Sequence, residues 1–283
     1  MSDHLLNSKQ MAEFVSSGYL KFDDMVPKDL SAACLEEMKT RKQGGYFAVG
    51  TPFEETWPKG TALGDAFRLP QVKGMIQSLV GPDPLYDHHA AHFMGAKQMI
   101  GPNTHQDSVI DFRENYFDVQ LSLFPADTPD EMGGTFLMPG TQFRNVRTSE
   151  ITFYQHMRGK VWASCTAGTM YVWNTRVWHG ARSNHTDQDR YMYKLRLNPT
   201  HPQIRNFDTS DLDDPEIDGI LSKSYGWDAG SENRYERIRR VRLWRYLSGQ
   251  PQFDIGERFL RRIEYLPTRK GKGKKEAAGV GTE

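Results

Sequence analysis

Residues 168–199 read GTMYVWNTRVWHGARSNHTDQDRYMYKLRLNP, and this stretch decides the fold. Two runs rich in aromatic and aliphatic residues, GTMYVW and YMYKLRLNP, stand on either side of the polar segment RSNHTDQD. Aromatic and apolar residues are typical of strands, whereas a cluster of Ser, Asn, Thr and Asp is typical of a connecting loop. The stretch therefore predicts two β-strands joined by a hairpin loop.

Segments of the same character continue towards the N-terminus as far as Leu85. They alternate with turn clusters rich in Gly, Pro, Asn and Asp, at the spacing expected for a β-sandwich or barrel. The further predicted strands are LYDHHAAHF (85–93), YFDVQLSLF (116–124), GTFLMP (134–139) and GKVWAS (159–164). Residues 85–199 therefore predict an antiparallel jelly roll, and the fold class is mainly β with flanking helices.

Helical patterns lie on both sides of this core. Near the N-terminus, Met11, Phe14 and Val15 recur at helical spacing and Gly18 suits a helix end, whereas residues 53–60 predict a loop. The segment SENRYERIRRVRLWRYL (231–247) predicts a second helical region after the core.

We accordingly predict a single domain over residues 1–266. It comprises a helical N-terminal part (1–84), the β core (85–199) and a C-terminal helical extension (200–266). Residues 267–283 are basic and lack apolar anchors, which predicts a disordered tail.

The composition narrows the class of partner. Lys plus Arg and Asp plus Glu both total 36, so an overall charge bias towards nucleic acid or an anionic membrane is absent. No apolar run approaches the roughly 18 residues of a spanning helix, and the N-terminus lacks a signal pattern. We expect a cytoplasmic protein with a small-molecule substrate, and the sequence leaves the oligomeric state open.

The segment NTHQDSV (103–109) carries a candidate metal motif. His105 and Asp107 lie two residues apart and project to the same side of an extended backbone. Such a triplet is common by chance and is weak evidence by itself. A metal site also needs a third ligand, which we expect from a distant strand. His179 meets this need, since it lies beside Gly180, where the backbone can approach closely. Two imidazoles and one carboxylate on iron(II) leave three positions open for a bidentate co-substrate and dioxygen.

Arg190 supplies the next expected feature, a cation for the distal carboxylate of 2-oxoglutarate. Its guanidinium can bind a carboxylate through two hydrogen bonds. It follows His179 by 11 residues (190 − 179), at the start of the next predicted strand.

Four regions together resemble the phytanoyl-CoA dioxygenase family of iron(II) and 2-oxoglutarate oxygenases. These are FVSSGYLKFDDMVPKDLSAA, THQD, GGTFLMPGTQ and WHGARSNHTDQDR, which span about residues 10–195. The resemblance implies a double-stranded β-helix of the cupin type. It assigns His105, Asp107 and His179 to iron as the catalytic centre, Arg190 to 2-oxoglutarate, and Thr186 to a hydroxyl position that also serves the co-substrate.

The resemblance also implies an activity. The expected reaction is hydroxylation with release of succinate and carbon dioxide, and the retained carboxylate of Asp107 favours oxygenation over halogenation. Gln142 and Ala181 depart from the family pattern, at positions where His and Ser are frequent. Near the predicted mouth of the barrel, Arg144, Arg147 and Arg176 suggest a polar or anionic substrate.

Two alternatives remain open at this point. The same enzyme class could carry out desaturation or cyclisation in a biosynthetic pathway. A jelly-roll protein could instead hold another divalent ion without oxygenase turnover, because the ligand types alone do not exclude zinc or manganese.

Overall fold

The computed structural model describes residues 4–40, 53–99, 101, 103–108, 113, 115–144, 146–153, 157–225 and 230–255. Helices dominate the N-terminal part, where an Asn7 capping box starts the first helix and Gly18, at φ 84°, ends it. The helices are α1 Ser8–Ser17, α2 Lys28–Lys39, α3 Phe53–Thr56, α4 Ala62–Arg68, α5 Pro70–Val80, α6 Thr148–Ile151, α7 Glu216–Leu221 and α8 Gly230–Ser248. The expectation of a loop over residues 53–60 was wrong at α3, whose side chains Glu54 and Glu55 occupy the favourable first turn.

Eight strands are present in the described part of the chain. They are β1 Tyr19–Phe22, β2 Leu85–Met94, β3 Val119–Phe124, β4 Thr135–Met138, β5 Val161–Trp162, β6 Thr169–Asn174, β7 Trp178–Ala181 and β8 Arg190–Asn198. They form a five-stranded sheet in the order β1-β6-β3-β8-β2 and a three-stranded sheet in the order β5-β4-β7. Every pair of neighbours is antiparallel, which confirms the predicted jelly roll.

The hairpin expected after His179 was wrong. His179 lies in β7, which pairs with β4 of the small sheet, whereas Arg190 begins β8, which pairs with β2 and β3 of the large sheet. The loop between them therefore crosses from one sheet to the other. A turn at residues 175–177 likewise separates β6 from β7, between the aromatic residues Trp173 and Trp178.

The large sheet is buried on both faces. On its outer face Leu121, Val172 and Leu195 pack beneath helices α4 and α5, among residues of the main core such as Leu63 and Leu79. The inner face carries a second apolar cluster, in which Phe124, Tyr171, Trp173 and Met192 meet Leu137 of the small sheet. Alternation along each strand therefore separates a helix-covered core from the interior between the two sheets.

The chain beyond β8 packs back on the N-terminal helix. Asp211 accepts hydrogen bonds from the backbone N–H groups of Ser8 and Lys9, at 2.8 and 3.3 Å, and so caps α1 from a distance in sequence. Trp244 and Leu247 of α8 are fully buried in the main core. Every helix in the described ranges is too short or too polar to cross a bilayer. The predicted tail at 267–283 lies outside the described residues.

Candidate metal centre

The structure brings the three predicted metal ligands together. One donor atom from each of His105, Asp107 and His179 lies within 4.8 Å of the others. The Asp107 carboxylate is 3.8 Å from His105 Nε2 through Oδ1, and 3.5 Å from His179 Nε2 through Oδ2. The His179 and Asp107 side chains are buried, whereas the His105 side chain is 31% exposed, so the cluster opens on the His105 side.

Backbone hydrogen bonds set this spacing. The N–H of His105 donates to the carbonyl of His179 at 2.9 Å, and the N–H of His179 donates to the carbonyl of His105 at 2.8 Å. Two residues further on, the N–H of Asp107 donates to the carbonyl of Thr175 at 2.8 Å. The segment that carries the motif is thus laid antiparallel against β7. Sheet pairing, rather than side-chain contacts alone, places the ligands.

In both imidazoles, the hydrogen bond made by Nδ1 identifies the tautomer. His105 Nδ1 lies 2.7 Å from the carbonyl of Asn103, and His179 Nδ1 lies 2.9 Å from the carbonyl of Val177. A carbonyl only accepts, so each Nδ1 must carry the proton and donate it. Each Nε2 is left with its lone pair directed at the cluster, which is the arrangement that a metal requires. The donor set therefore fits a divalent transition metal.

Electrostatics keep the site in a ligating state. Burial lowers the pKa of His179 to about 3, so the ring is neutral at pH 7. Burial alone would raise the pKa of Asp107, but the adjacent His179, Lys194 and Arg196, in that order, outweigh it and hold that pKa well below its usual range. A neutral imidazole and an ionised carboxylate are the forms that bind metal.

Arg190 and Thr186 occupy different environments. Arg190 is 8% exposed, and its Nη1 donates to the carbonyl of Gly133 in the turn before β4. Burial, with a smaller contribution from Arg182, lowers its pKa to about 10. The Thr186 hydroxyl is 2.7 Å from Asn184 Oδ1, within the loop between β7 and β8. A role for either residue in holding a co-substrate stays a prediction.

Of the two departures from the family pattern, Gln142 has a local explanation. Gln142 is buried, and its Nε2 donates to the carbonyl of Val15 at 3.0 Å, so this residue ties the turn after β4 to the end of α1. The backbone of Ala181 lies against Gly101, where a Cβ would be 2.5 Å from the Ala181 carbonyl oxygen. Gln142 therefore serves packing around the cluster, whereas the contact at position 181 involves only the backbone and gives no structural reason for Ala there.

Among the arginines expected at the mouth, Arg144 forms an ion pair with the buried carboxylate of Glu236 in α8. Sequence reasoning missed two other cations, Lys194 and Arg196 of β8. Lys194 Nζ is 3.2 Å from Asp107 Oδ2, and Arg196 Nη2 is 3.5 Å from Asp107 Oδ1. Their spacing held the signal, because both lie an even number of residues after Arg190 and therefore share its face of the strand.

Comparison with known proteins places the chain in a family. The family model for phytanoyl-CoA dioxygenase (PhyH) matches residues 16–192, or 177 of the 283 residues (192 − 16 + 1). The chain belongs to the phytanoyl-CoA dioxygenase family. The matched range contains His105, Asp107, His179 and Arg190, and it ends just before Lys194. A search of curated protein sequences gave no match.

Solved structures agree with this family on the fold. EctD from S. alaskensis, solved with 2-oxoglutarate and 5-hydroxyectoine, is 16% identical, with 70% of this chain and 78% of that chain covered and a TM-score of 0.55. SnoK, a non-heme α-ketoglutarate-dependent carbocyclase from nogalamycin biosynthesis, is 16% identical, with 69% and 84% covered and a TM-score of 0.54. AviO1 from Streptomyces viridochromogenes Tue57 is 15% identical, with 71% and 96% covered and a TM-score of 0.52. At these identities the likeness concerns the fold alone.

Proposed function

We propose that this member of the phytanoyl-CoA dioxygenase family is an iron(II)- and 2-oxoglutarate-dependent oxygenase that hydroxylates a small molecule. The observation that carries the proposal is the converging set of two imidazoles and one carboxylate in a largely buried cluster that opens on one side. Iron(II) held there with 2-oxoglutarate supplies oxidative decarboxylation of the co-substrate, with release of succinate and carbon dioxide, and oxidation of a substrate C–H bond.

The chain's own residues perform four tasks in this proposal. His105, Asp107 and His179 hold the metal on one face through two Nε2 atoms and a carboxylate oxygen. The carbonyls of Asn103 and Val177 hold each ring in the correct tautomer and orientation. The remaining tasks fall to residues around these ligands.

Arg190 would hold the distal carboxylate of 2-oxoglutarate through its guanidinium, because it is a buried cation on the strand beside the cluster. The ring centroids of Trp173 and His179 are 5.5 Å apart, and the Trp173 ring keeps water away from that side of the site. Asp107 fills the third ligand position, which supports oxygenation rather than halogenation.

The proposal can be tested without a substrate. Metal-free protein is titrated anaerobically with iron(II) and 2-oxoglutarate while the visible charge-transfer absorption is recorded. We expect an absorption band in the wild type and its loss in Asp107→Ala, which removes one ligand. Lys39→Met serves as the control, since Lys39 contacts only Glu36 on the surface of α2 among the described interactions, and this variant should behave as the wild type.

A wild type that gives no band would refute the oxygenase proposal and favour a jelly-roll protein that holds another ion. When a substrate is available, the mass of the product tests the reaction itself. Hydroxylation adds one oxygen atom, whereas desaturation or cyclisation removes two hydrogen atoms.

A further inference from the structure

The inner face of β8 presents two cations beside the metal ligands. Lys194 and Arg196 point into the interior between the two sheets, and each contacts a different oxygen of Asp107. Their side chains are only 12% and 18% exposed. Two largely buried cations at one site destabilise the folded protein unless anionic groups compensate their charge.

Buried polar atoms without a partner lie beside these cations. Arg196 is opposite Gln120 of β3, which is opposite Trp173 of β6, and Lys194 is opposite Ser122 of β3. Residues directly opposite each other in an antiparallel sheet share one face. Within the described ranges, Gln120 Oε1, Ser122 Oγ, Trp173 Nε1 and Arg196 Nε make no hydrogen bond, although Gln120, Ser122 and Trp173 are each at most 1% exposed.

This pattern indicates a ligand site because native proteins leave few buried polar atoms unsatisfied. Two of the four atoms, Trp173 Nε1 and Arg196 Nε, are donors only, and the Ser122 hydroxyl can donate as well, whereas Gln120 Oε1 only accepts. A group that accepts several hydrogen bonds would satisfy the three atoms that can donate, on Trp173, Arg196 and Ser122.

The charges around Lys194 and Arg196 specify that group further. Arg196 also pairs with Asp87, Nη1 to Oδ2 at 3.2 Å, which offsets one of the two cations. Asp107 is shared with the metal in the proposed function, so its charge does not belong to Lys194 alone. One positive charge then remains to be balanced, which matches a carboxylate. Tyr171 and Met192 of the inner apolar cluster are neighbours on the same face and suit an apolar body.

We propose that Lys194 and Arg196, with Ser122 and Trp173, bind a carboxylate of the substrate and orient its apolar part towards the metal. This inference rests on the proposed function and names the substrate class of the same site. It gives β8 two separate anion anchors, with Arg190 for the co-substrate and the pair Lys194 and Arg196 for the substrate.

The test uses acids and their primary amides, which have nearly the same shape but differ in charge. Full-length protein saturated with iron(II) and 2-oxoglutarate is titrated anaerobically with acetate, hexanoate, benzoate and phenylacetate, and with the amide of each. Calorimetry gives the affinity, and the visible band reports whether 2-oxoglutarate stays bound. The measured quantity is the ratio of acid to amide affinity within each protein, so that a general change in metal binding cancels.

We expect at least one acid to bind the wild type about tenfold or more tightly than its amide, since hydrogen bonds to charged groups are the stronger ones. In Lys194→Met and Arg196→Met this ratio should fall towards one. It should stay at the wild-type value in Lys39→Met, which also removes one lysine charge.

Three results would overturn the inference. The first is the absence of any preference for an acid in the wild type, and the second is an unchanged ratio in both variants. The third is loss of the band when the acid is added, because the acid would then have displaced 2-oxoglutarate from Arg190. A wild type that forms the band but shows no acid preference refutes only this inference, whereas a wild type without the band refutes the proposed function.

Discussion

Replacement of Arg190 by Met should weaken 2-oxoglutarate binding without destabilising the ligand-free protein. Arg190 is buried, and its pKa falls from 12.5 to about 10. This fall corresponds to about 3 kcal/mol against the charged form. Met removes that cost but also removes the hydrogen bond to the carbonyl of Gly133, which contributes about 1–2 kcal/mol. The ligand-free variant should therefore be more stable than the wild type by about 1–2 kcal/mol.

The co-substrate should respond in the opposite direction. A guanidinium that holds a carboxylate through two charge-assisted hydrogen bonds contributes about 1.5–3 kcal/mol for each bond. Their loss amounts to about 3–6 kcal/mol, which is a decrease in affinity of about 100-fold or more. Urea unfolding of the ligand-free protein measures the first effect, and anaerobic titration of iron(II)-loaded protein with 2-oxoglutarate measures the second.

Arg158→Met is the matched control, because Arg158 is exposed on the surface and should affect neither quantity strongly. Clear destabilisation of Arg190→Met, combined with wild-type affinity for 2-oxoglutarate, would refute the reasoning. Arg190 would then act only as a structural tie to the turn that contains Gly133.

Three further predictions concern stability. Gly133→Ala should destabilise the protein by about 1–2 kcal/mol through its backbone alone, since Gly133 has φ 71° and a Cβ there would collide with the Ser183 carbonyl; urea unfolding equal to wild type would contradict this. Gln203→Leu should cost about 2–4 kcal/mol, because this buried amide bonds the backbone of Leu79 and Phe117; an unchanged denaturation midpoint would show that water replaces the amide. Burial raises the pKa of Cys34 from 9.0 to about 12. The unfolded chain therefore loses this proton first, and stability that is complete below about pH 9 should decline towards pH 12 by up to ~1.4 kcal/mol per pH unit. Cys34→Ala should show a shallower decline in unfolding free energy measured against pH, and equal slopes would argue against the assignment.

The ligands of the candidate centre were predictable because local sequence carries their constraints. His105 and Asp107 must share one face of an extended segment, and the strand pattern around His179 placed the third ligand in the same core. The partition of strands between two sheets was less accessible. The polar residues 174–176 mark a break after Trp173, but nothing in them indicates that β7 lies in the other sheet, since that follows from pairing with β4.

The cations next to the cluster were missed for a related reason. On β8 the alternation of apolar and polar residues does not show which face of the strand lies between the two sheets. The reason is that α-helices cover the outer face and bury Leu195 and Leu197 there. Lys194 and Arg196 therefore look like solvent-facing residues of a surface strand. In the sequence only their even spacing from Arg190 points to the interior, and the contact of Lys194 with Asp107, 87 residues away, shows it in the structure.

Under the two proposals, strand β8 sets the distance between the co-substrate and the substrate. An extended chain advances about 3.3 Å per residue, so Arg190 and Lys194 stand about 13 Å apart along β8, on the same side and with the metal ligands between the two sheets nearby. The distance between the co-substrate carboxylate held at Arg190 and the substrate carboxylate held at Lys194 is then set by the number of residues between these two cations. Moving a cation by two positions would keep its direction and change that span by about 7 Å, which offers a way to select longer or shorter substrates while the loop that carries His105 and Asp107 stays as it is.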